Sequence, residues 1–201
     1  MKEHVRAIVL TGGPGGGKTT LMRELRAADP YAKRFLLVPE AAPLLFQAGL
    51  SARDKTFQRA VVQLQIALED ICAQGANANQ ILICHRGTLD PLAYWLRSGW
   101  DETEFFELTF TTRAEQYARY VGVIHLQTAA IEAEPFYLRY PDAHRPETIE
   151  QAAETDRLCV HAWNQHPRFV MIENRGRDWE DKSRAAQDAL RDALDFAQEH
   201  D

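Results

Sequence analysis

A glycine-rich segment, residues 12–20, has the composition and spacing of a phosphate-binding loop. It reads GGPGGGKTT and fits the pattern G-x-x-x-x-G-K-[ST], with Gly12, Gly17, Lys18 and Thr19 at the fixed positions. Glycine lets backbone N–H groups converge on phosphate oxygens, where side chains would block the approach. Lys18 is expected to reach the β- and γ-phosphates, and the Thr19 hydroxyl is expected to ligate Mg²⁺.

The flanks of this loop also favour a nucleotide site. A strand-like run precedes it and a helical stretch follows, so the helix dipole adds to phosphate binding. The alternative is a glycine-rich turn that only links strand to helix, and the Lys-Thr pair in register disfavours it. No Asn-Lys-x-Asp tetrapeptide, the usual guanine-reading motif, occurs, so ATP with Mg²⁺ is expected. The loop residues expected at the nucleotide are Gly13, Pro14, Gly15, Gly16, Gly17, Lys18, Thr19 and Thr20.

Glu40 follows the apolar run Phe35–Val38 and is the first candidate carboxylate. Residues just past the carboxyl ends of parallel strands face the crevice where ligands bind. Glu40 is therefore a candidate general base for an acceptor hydroxyl, or a partner of Mg²⁺. The alternative is an acid at the start of a helix that only complements the helix dipole.

A second polar stretch, His85 to Asp90, follows the apolar run Ile81–Cys84. Many P-loop enzymes carry an Asp that orients Mg²⁺ here, whereas histidine is a poor ligand for a hard cation. Arg86 suits a phosphate or the acceptor substrate, because its fork is always charged. Asp90 lies four residues further, on the same helix face. It could take over metal orientation, or it could only pair with Arg86.

The segment 129–147 is expected to form an irregular, mobile lid over the nucleotide. Its bases Arg139 and Arg145 are candidates to stabilise the charge of a transferring phosphate, and Arg157 follows on a predicted helix. The alternative is that these arginines are solvated at the surface. Asn174, after the last predicted strand, could lie beside the base of the nucleotide, although an ordinary strand-to-helix turn explains an asparagine there equally well.

Alternating apolar runs and helical patterns must position these residues. The runs predicted as strands covered on both faces are Val5–Leu10, Phe35–Val38, Ile81–Cys84, Val121–Leu126 and Phe169–Ile172. The pattern Phe57, Val61, Leu64, Leu68 and Ile71 predicts one buried helix face. A helix over Trp179–Phe196 should cover the sheet. This alternation predicts a three-layer α/β fold, with a five-stranded, mainly parallel sheet flanked by helices.

Composition sets limits on the class of protein. The 201 residues suit a single domain, 1–201, with 45% hydrophobic and 26% charged residues. A net charge of −6 argues against a nucleic-acid partner. No apolar run approaches the roughly 18 residues of a membrane-spanning helix, and no signal peptide is evident. Three dispersed cysteines favour reduced thiols and a cytoplasmic location, and no feature favours a particular oligomeric state.

The combination of motifs resembles one branch of P-loop proteins. The motifs are GGPGGGKTT, VPEAA, a helix bearing Gln58, Gln63, Gln65 and Glu69, and HRGTLDPLAYW. From Val5 to about Phe196 the chain resembles the AAA-type family that includes the nucleoside-kinase (ribosylnicotinamide kinase) domain of the bacterial NAD-biosynthesis regulator and the TRPL-translocation-defect protein. The resemblance implies that Glu40 is the base or metal partner and that Arg86 binds substrate or phosphate. The sequence departs from the family pattern at His85, where Asp followed by Arg is typical.

These observations leave three functions open. The first is a Mg²⁺-dependent kinase that transfers the γ-phosphate of ATP to a small, nucleoside-like acceptor, with Lys18, Glu40, Arg86 and Arg145 in the catalytic machinery. The second is a nucleotide-dependent switch, or ATPase or GTPase, that acts on a protein or lipid partner, and His85 favours it slightly. The third is a module that binds nucleotide without turnover.

Overall fold

The computed structural model describes residues 6–28, 34–52, 54–77, 80–139 and 147–199. It contains one five-stranded parallel sheet in the order β2-β3-β1-β4-β5. The strands are β1 (Ala7–Thr11), β2 (Phe35–Val38), β3 (Ile81–His85), β4 (Gly122–Leu126) and β5 (Phe169–Ile172). The predicted α/β fold with a parallel sheet is confirmed. The bounds of β2 and β5 agree with the apolar runs, and the other strands differ from the predictions by one or two residues at an end.

Continuous apolar runs form these strands because both faces of the sheet are covered by helices. Val9 at the centre pairs with Cys84 on one side and with Val123 on the other, and all three are fully buried. The prediction of coverage on both faces is wrong for β5. This strand lies at the edge of the sheet, and Val170 is 41% exposed.

Helices cover the sheet in two layers. They are α1 (Lys18–Ala27), α2 (Ala41–Gln47), α3 (Lys55–Gly75), α4 (Asp90–Arg97), α5 (Glu102–Thr109), α6 (Arg113–Ala118), α7 (Glu134–Arg139), α8 (Ile149–Trp163) and α9 (Trp179–Glu199). Leu21 of α1 and Leu190 of α9 pack on one face of the sheet. Trp95 of α4 and Trp163 of α8 pack on the other face, and this arrangement is the predicted three-layer fold.

The buried face of α3 differs from the predicted one. Phe57 and Val61 are buried as expected, but Ile71 is 65% exposed. Three polar residues are buried instead, namely Gln58, Gln65 and Glu69. The prediction weighed only apolar residues, whereas one face of this helix borders the cleft and a buried hydrogen-bond network.

The described part of the segment 129–147 is partly regular. It contains α7, so the prediction of an irregular segment is wrong for Glu134–Arg139. Tyr137 of α7 is buried in a small cluster with Ala152 and Ala153 of α8. Residues 140–146 lie outside the described part of the chain. Within the described ranges, no helix is long and apolar enough to span a membrane.

Candidate functional site

A cleft of about 1330 Å³ opens at the carboxyl ends of the central strands. Ligands bind at this edge in open parallel sheets. The phosphate-binding loop forms one end of the cleft, and helices α3 and α4 form the other. The predicted site residues among its lining are Pro14, Gly15, Gly16, Gly17, Lys18, Thr19, Thr20, Glu40, Arg86, Asp90 and Asn174. Gly13, also predicted at the nucleotide, is not part of the lining, because its N–H is directed to the carboxylate of Asp156.

Packing against β4 requires glycine at two positions of the loop. A Cβ on Gly12 would lie 2.1 Å from the carbonyl oxygen of Leu126, and one on Gly16 would lie 2.4 Å from the same atom. Gly12 also has φ +126°, a conformation that L residues rarely adopt. The loop is thus fixed by the end of the neighbouring strand as well as by its own sequence.

Lys18 is buried and is held by the loop itself. Its Nζ donates to the carbonyl oxygens of Gly12 and Gly13, at 2.7 and 2.8 Å. Burial, together with the positive charge of Arg86, lowers the pKa of Lys18 to about 8. The ammonium group therefore lies inside the loop, at the start of α1, where the helix dipole also favours an anion.

Glu40 and Arg86 are in contact beyond the carboxyl ends of the neighbouring strands β2 and β3. The Nε of Arg86 donates to Oε1 of Glu40 at 2.7 Å, and its Nη1 donates to the carbonyl oxygen of Gly12 at 3.0 Å. Glu40 precedes α2, but its side chain makes no cap hydrogen bond to that helix. Glu40 is the N-cap residue of α2, so its charge also complements the dipole of that helix while its carboxylate binds Arg86.

His85 lies between the carboxylate and the loop. Its Nδ1 is 3.2 Å from Oε2 of Glu40, and its Nε2 is 3.0 Å from the Thr19 hydroxyl. Burial alone would raise the pKa of Glu40, but Arg86 and His85 outweigh burial and hold it well below its usual range. Glu40 is therefore an ionised carboxylate throughout the neutral pH range.

Asp90 is buried with a full set of hydrogen bonds. Its Oδ1 accepts from the Thr11 hydroxyl at 2.8 Å and from Nη1 of Arg86 at 2.9 Å. Its Oδ2 accepts from the backbone N–H of Gly87 at 2.9 Å and from the indole N–H of Trp163 at 3.2 Å. Of the two alternatives for this residue, the structure has the pair with Arg86. Four internal donors occupy the carboxylate, which suits positioning better than metal binding.

The remaining predicted residues are less central. Asn174 donates from Nδ2 to the carbonyl oxygens of Thr128 and Ile131, both at 2.7 Å, so it joins the ends of β4 and β5. Arg157 is exposed on α8 and is not part of the cleft lining. Arg139 ends α7, and the position of its side chain is not among those described. Arg145 lies outside the described residues.

Asp156 was missed by the sequence analysis and holds the phosphate-binding loop. Its Oδ1 accepts from the backbone N–H groups of Gly13 at 2.7 Å and Thr128 at 2.9 Å. Its Oδ2 lies 3.1 Å from Nε2 of His125. Burial opposes ionisation of Asp156, but His125 and the two N–H donors outweigh it and lower the pKa. The residue lies on α8, and its sequence neighbours carry no motif that reveals this role.

Lys182 is the second functional residue that the sequence did not reveal. Its Nζ donates to the carbonyl oxygens of Gly16 at 3.0 Å and Gln127 at 2.5 Å, and to Oδ1 of Asn174 at 2.8 Å. Burial lowers the pKa of Lys182 to about 7. One signal was available, because a lysine close to a helix N-terminus opposes the helix dipole.

Trp179 closes the nucleotide end of the cleft. A Cβ on Gly17, which has φ +94°, would lie 2.2 Å from the indole ring of Trp179. The indole N–H donates to Oε1 of Glu24 at 2.7 Å, which fixes the ring against α1. The third glycine-dependent contact of the loop is thus with the last helix.

A second group of side chains lines the same cleft, and we call it the second compartment. We define it by residues of α2, α3 and α4, which are Phe46, Phe57, Gln58, Val61, Gln65 and Tyr94. Phe46 and Phe57 stack with ring centroids 4.9 Å apart. Tyr94 accepts a hydrogen bond from Nη2 of Arg86 at 2.9 Å, so Arg86 lies between the two ends.

Oxygen donors for Mg²⁺ come from few residues. Among the described residues, no group of three or more His, Cys, Asp or Glu could hold a metal ion. The Thr19 hydroxyl and Oε2 of Glu40 both line the cleft beside the loop, and they are hard oxygen donors of the kind that Mg²⁺ takes. The imidazole of His85 lies between these two oxygens, so they cannot both bind one Mg²⁺ directly. The Thr19 hydroxyl fits a Mg²⁺ ion that keeps water and phosphate oxygens as its other ligands, and Glu40 fits a hydrogen-bond partner of one of those waters.

Comparison with known proteins identifies the family. The model of the AAA domain family matches residues 7–182, which is most of the chain. The chain therefore belongs to the AAA domain family and is a P-loop protein of the nucleotide-binding type. A search of curated proteins finds no match.

Proposed function

We propose that this AAA domain protein is an ATP-dependent kinase that phosphorylates a hydroxyl group of a small, nucleoside-like acceptor. The observation that carries the proposal is that one cleft joins the phosphate-binding loop to the second compartment, with Glu40 and Arg86 between them. Pockets for one drug-sized ligand measure about 300–1000 Å³. A cleft of about 1330 Å³ has room for a nucleotide and a second small molecule.

The loop end supplies the groups that bind a triphosphate. Backbone N–H groups, the dipole of α1 and the Lys18 ammonium provide positive potential at one place. Phosphate oxygens would replace the carbonyl oxygens of Gly12 and Gly13 as partners of Lys18. Thr19 would hold Mg²⁺, which supplies positive charge to the phosphates when it is bound, and Glu40 would contact that ion only through water.

Glu40 would orient the acceptor hydroxyl. The hydroxyl oxygen attacks the γ-phosphorus, the bond from that phosphorus to the β–γ bridging oxygen breaks, and ADP leaves with the bond electrons. The hydroxyl proton passes to Glu40. A carboxylate with a low pKa is a weak base, but a loose transition state leaves little for a base to do beyond positioning. Arg86 acts as a positioning residue, because it ties Glu40 to the carbonyl oxygen of Gly12.

The lid arginines complete the proposed site. Arg139 and Arg145, on the segment 129–147, would approach the transferring phosphate and stabilise its spreading charge. Closure over the cleft would exclude water, which otherwise competes with the acceptor for the γ-phosphate.

The test is ATP turnover with Mg²⁺, measured with and without a panel of nucleosides, nucleotides and pyridine ribosides. A kinase releases ADP much faster with one acceptor and forms a phosphorylated product. Glu40→Gln should lower acceptor-dependent turnover by about 10²–10³-fold, within the range for a positioned proton acceptor, and should retain ATP binding. Glu154→Gln, an exposed change on α8, is the matched control. Unchanged turnover in Glu40→Gln would remove Glu40 from the mechanism.

One observation favours a second function, a nucleotide-dependent ATPase or switch. His85 stands at the end of β3 and contacts the Thr19 hydroxyl, where many P-loop enzymes place an Asp. Slow ADP release that ignores every acceptor would support this function over the kinase.

A further inference from the structure

We infer that the second compartment recognises a flat heterocycle with adjacent hydrogen-bond donors and acceptors, and that Gln58 and Gln65 determine this specificity. The inference deepens the proposed kinase, because the heterocycle would be the ring of the acceptor. Its binding can nevertheless be measured without phosphate transfer. The other residues that define the compartment are aromatic or aliphatic, and Gln47 of α2 and Arg97 of α4 also line the cleft.

The helical spacing directs both amides to the cleft. Gln58, Val61 and Gln65 follow each other at intervals of three and four residues, which places them on one face of α3. All three line the cleft. Gln58 is only 5% exposed and Gln65 only 2%. Glutamine is mostly exposed in folded proteins, so two largely buried glutamines on the face that lines the cleft are unusual.

Gln58 has no hydrogen-bond partner within the described residues, although its amide offers two donors and one acceptor oxygen. Although the residue as a whole is largely buried, its amide nitrogen and oxygen are not enclosed by protein and remain open to the cleft. A ligand that covers them without pairing with them would remove their contact with water and gain nothing in return. Gln58 faces the cleft, so a ligand there can pair with both sides of its amide. Such a residue increases the affinity for a ligand whose edge carries a matching donor and acceptor.

Gln65 is held in one orientation by a buried network. Its Nε2 donates to Oε1 of Glu69 at 3.0 Å, and that oxygen also accepts from the Tyr120 hydroxyl at 2.8 Å. Nε of Arg119 donates to the other oxygen of Glu69 at 3.1 Å. The amide of Gln65 is thus fixed with its carbonyl oxygen available as an acceptor. A fixed acceptor gives specificity at a small entropic cost.

The walls of the compartment suit the faces of a ring. Phe57 is buried and stacks on Phe46 with an interplanar angle of 22°. Val61 lies between the two amides along α3, and Tyr94 lines the cleft from α4. Apolar walls with a few placed polar groups are typical of small-molecule sites. A purely apolar acceptor would leave the amides desolvated and unpaired, so the compartment should reject it.

The experiment compares riboside binding in the full chain by calorimetry, without ATP. The probes are uridine, cytidine, adenosine and nicotinamide riboside, with ribose and a phenyl riboside as ligands that lack the polar ring edge. At least one heterocyclic riboside should bind about tenfold or more tightly than the phenyl riboside. Gln58→Leu should weaken that heterocycle about tenfold and leave the phenyl riboside and ATP unchanged. Gln63→Leu makes the same change at an exposed position of α3 and should alter nothing.

Several results would overturn the inference. They are equal affinity for the phenyl and heterocyclic ribosides, equal effects of Gln58→Leu and Gln63→Leu, and no binding of any riboside. The wild-type comparison of ribosides decides the question even if Gln58→Leu fails to fold. Heterocycle binding without phosphate transfer would keep this inference and refute the kinase. Phosphorylation that is indifferent to Gln58→Leu and to the ring edge would keep the kinase and refute this inference.

Discussion

Replacement of Asp156 by alanine tests whether this carboxylate holds the phosphate-binding loop. The substitution removes the acceptor of two buried backbone N–H groups, those of Gly13 and Thr128, and the partner of His125. Each buried donor left without a partner costs about 1–3 kcal/mol. Loss of the buried charge offsets part of that cost, so we expect a net loss of about 3 kcal/mol in the free energy of unfolding.

For a domain of this size, such a loss lowers the Tm by about 6–12 °C. Thermal and urea unfolding measure it, and Glu154→Ala on the exposed side of α8 is the control. Asp156→Asn should cost less, about 1 kcal/mol, because an amide oxygen can still accept from both N–H groups. ATP affinity should fall in Asp156→Ala, since Gly13 is no longer held.

The effect of Asp156→Ala should also depend on pH. The pKa of Asp156 is lower in the folded protein than its ordinary value of 3.8. A group of this kind contributes stability above its unfolded-state pKa and loses that contribution as the pH falls through its folded-state pKa. The difference between wild type and Asp156→Ala should therefore shrink below about pH 4. A stability loss no larger than that of Glu154→Ala at pH 7 would refute the role of Asp156.

Three further predictions concern the loop and its neighbours. Gly17→Ala should weaken ATP binding at least tenfold in a titration, because the new Cβ would lie 2.2 Å from the indole ring of Trp179. The double variant Gly17→Ala with Trp179→Ala should recover part of the affinity. The folded-state pKa of Lys182 is about 7, below its ordinary value of 10.5, so between these two pH values the unfolded chain binds the extra proton. The free energy of unfolding of the wild type should therefore rise with pH, relative to that of Lys182→Met, from about pH 7 upward. Urea titrations measure both, and two parallel pH curves would contradict the prediction. Arg86→Lys should lower acceptor-dependent turnover about tenfold or more while ATP still binds, because an ammonium group cannot make both guanidinium hydrogen bonds that join Glu40 to the loop. Wild-type turnover in this variant would exclude the positioning role of Arg86.

Local patterns explain why the sheet and the loop could be predicted. The apolar runs predicted as β2 and β5 have the same first and last residues as the observed strands. The glycine-rich motif can be recognised because its residues are contiguous in the sequence. The sequence placed Glu40 and Arg86 after two strands, but their contact depends on the pairing of those strands, which the structure shows. Val38 of β2 pairs with Cys84 of β3, and each candidate lies two residues beyond its strand partner, so both reach the same place at the sheet edge.

Contacts between distant segments explain what the sequence analysis missed. Asp156 contacts Gly13 across 143 positions of sequence, and Lys182 contacts Gly16 across 166. No local spacing carries such information. The buried face of α3 was misjudged for another reason. Hydrophobic periodicity assigns burial to apolar residues such as Ile71, whereas Gln58 is buried because it borders a cleft.

The contact of Gly12 and Gly16 with the carbonyl oxygen of Leu126 has a consequence for how such loops diverge over time. These two glycines are required by the neighbouring strand whether or not a nucleotide is turned over. A descendant that lost its activity would therefore keep both, and selection for folding alone would preserve Gly12, the first fixed position of the signature. Thr19, which is exposed and has no packing duty of this kind, would drift first. Among relatives of this chain, the presence of that hydroxyl should therefore distinguish proteins with an active nucleotide site from inactive proteins that kept the fold, and it should do so better than the two glycines.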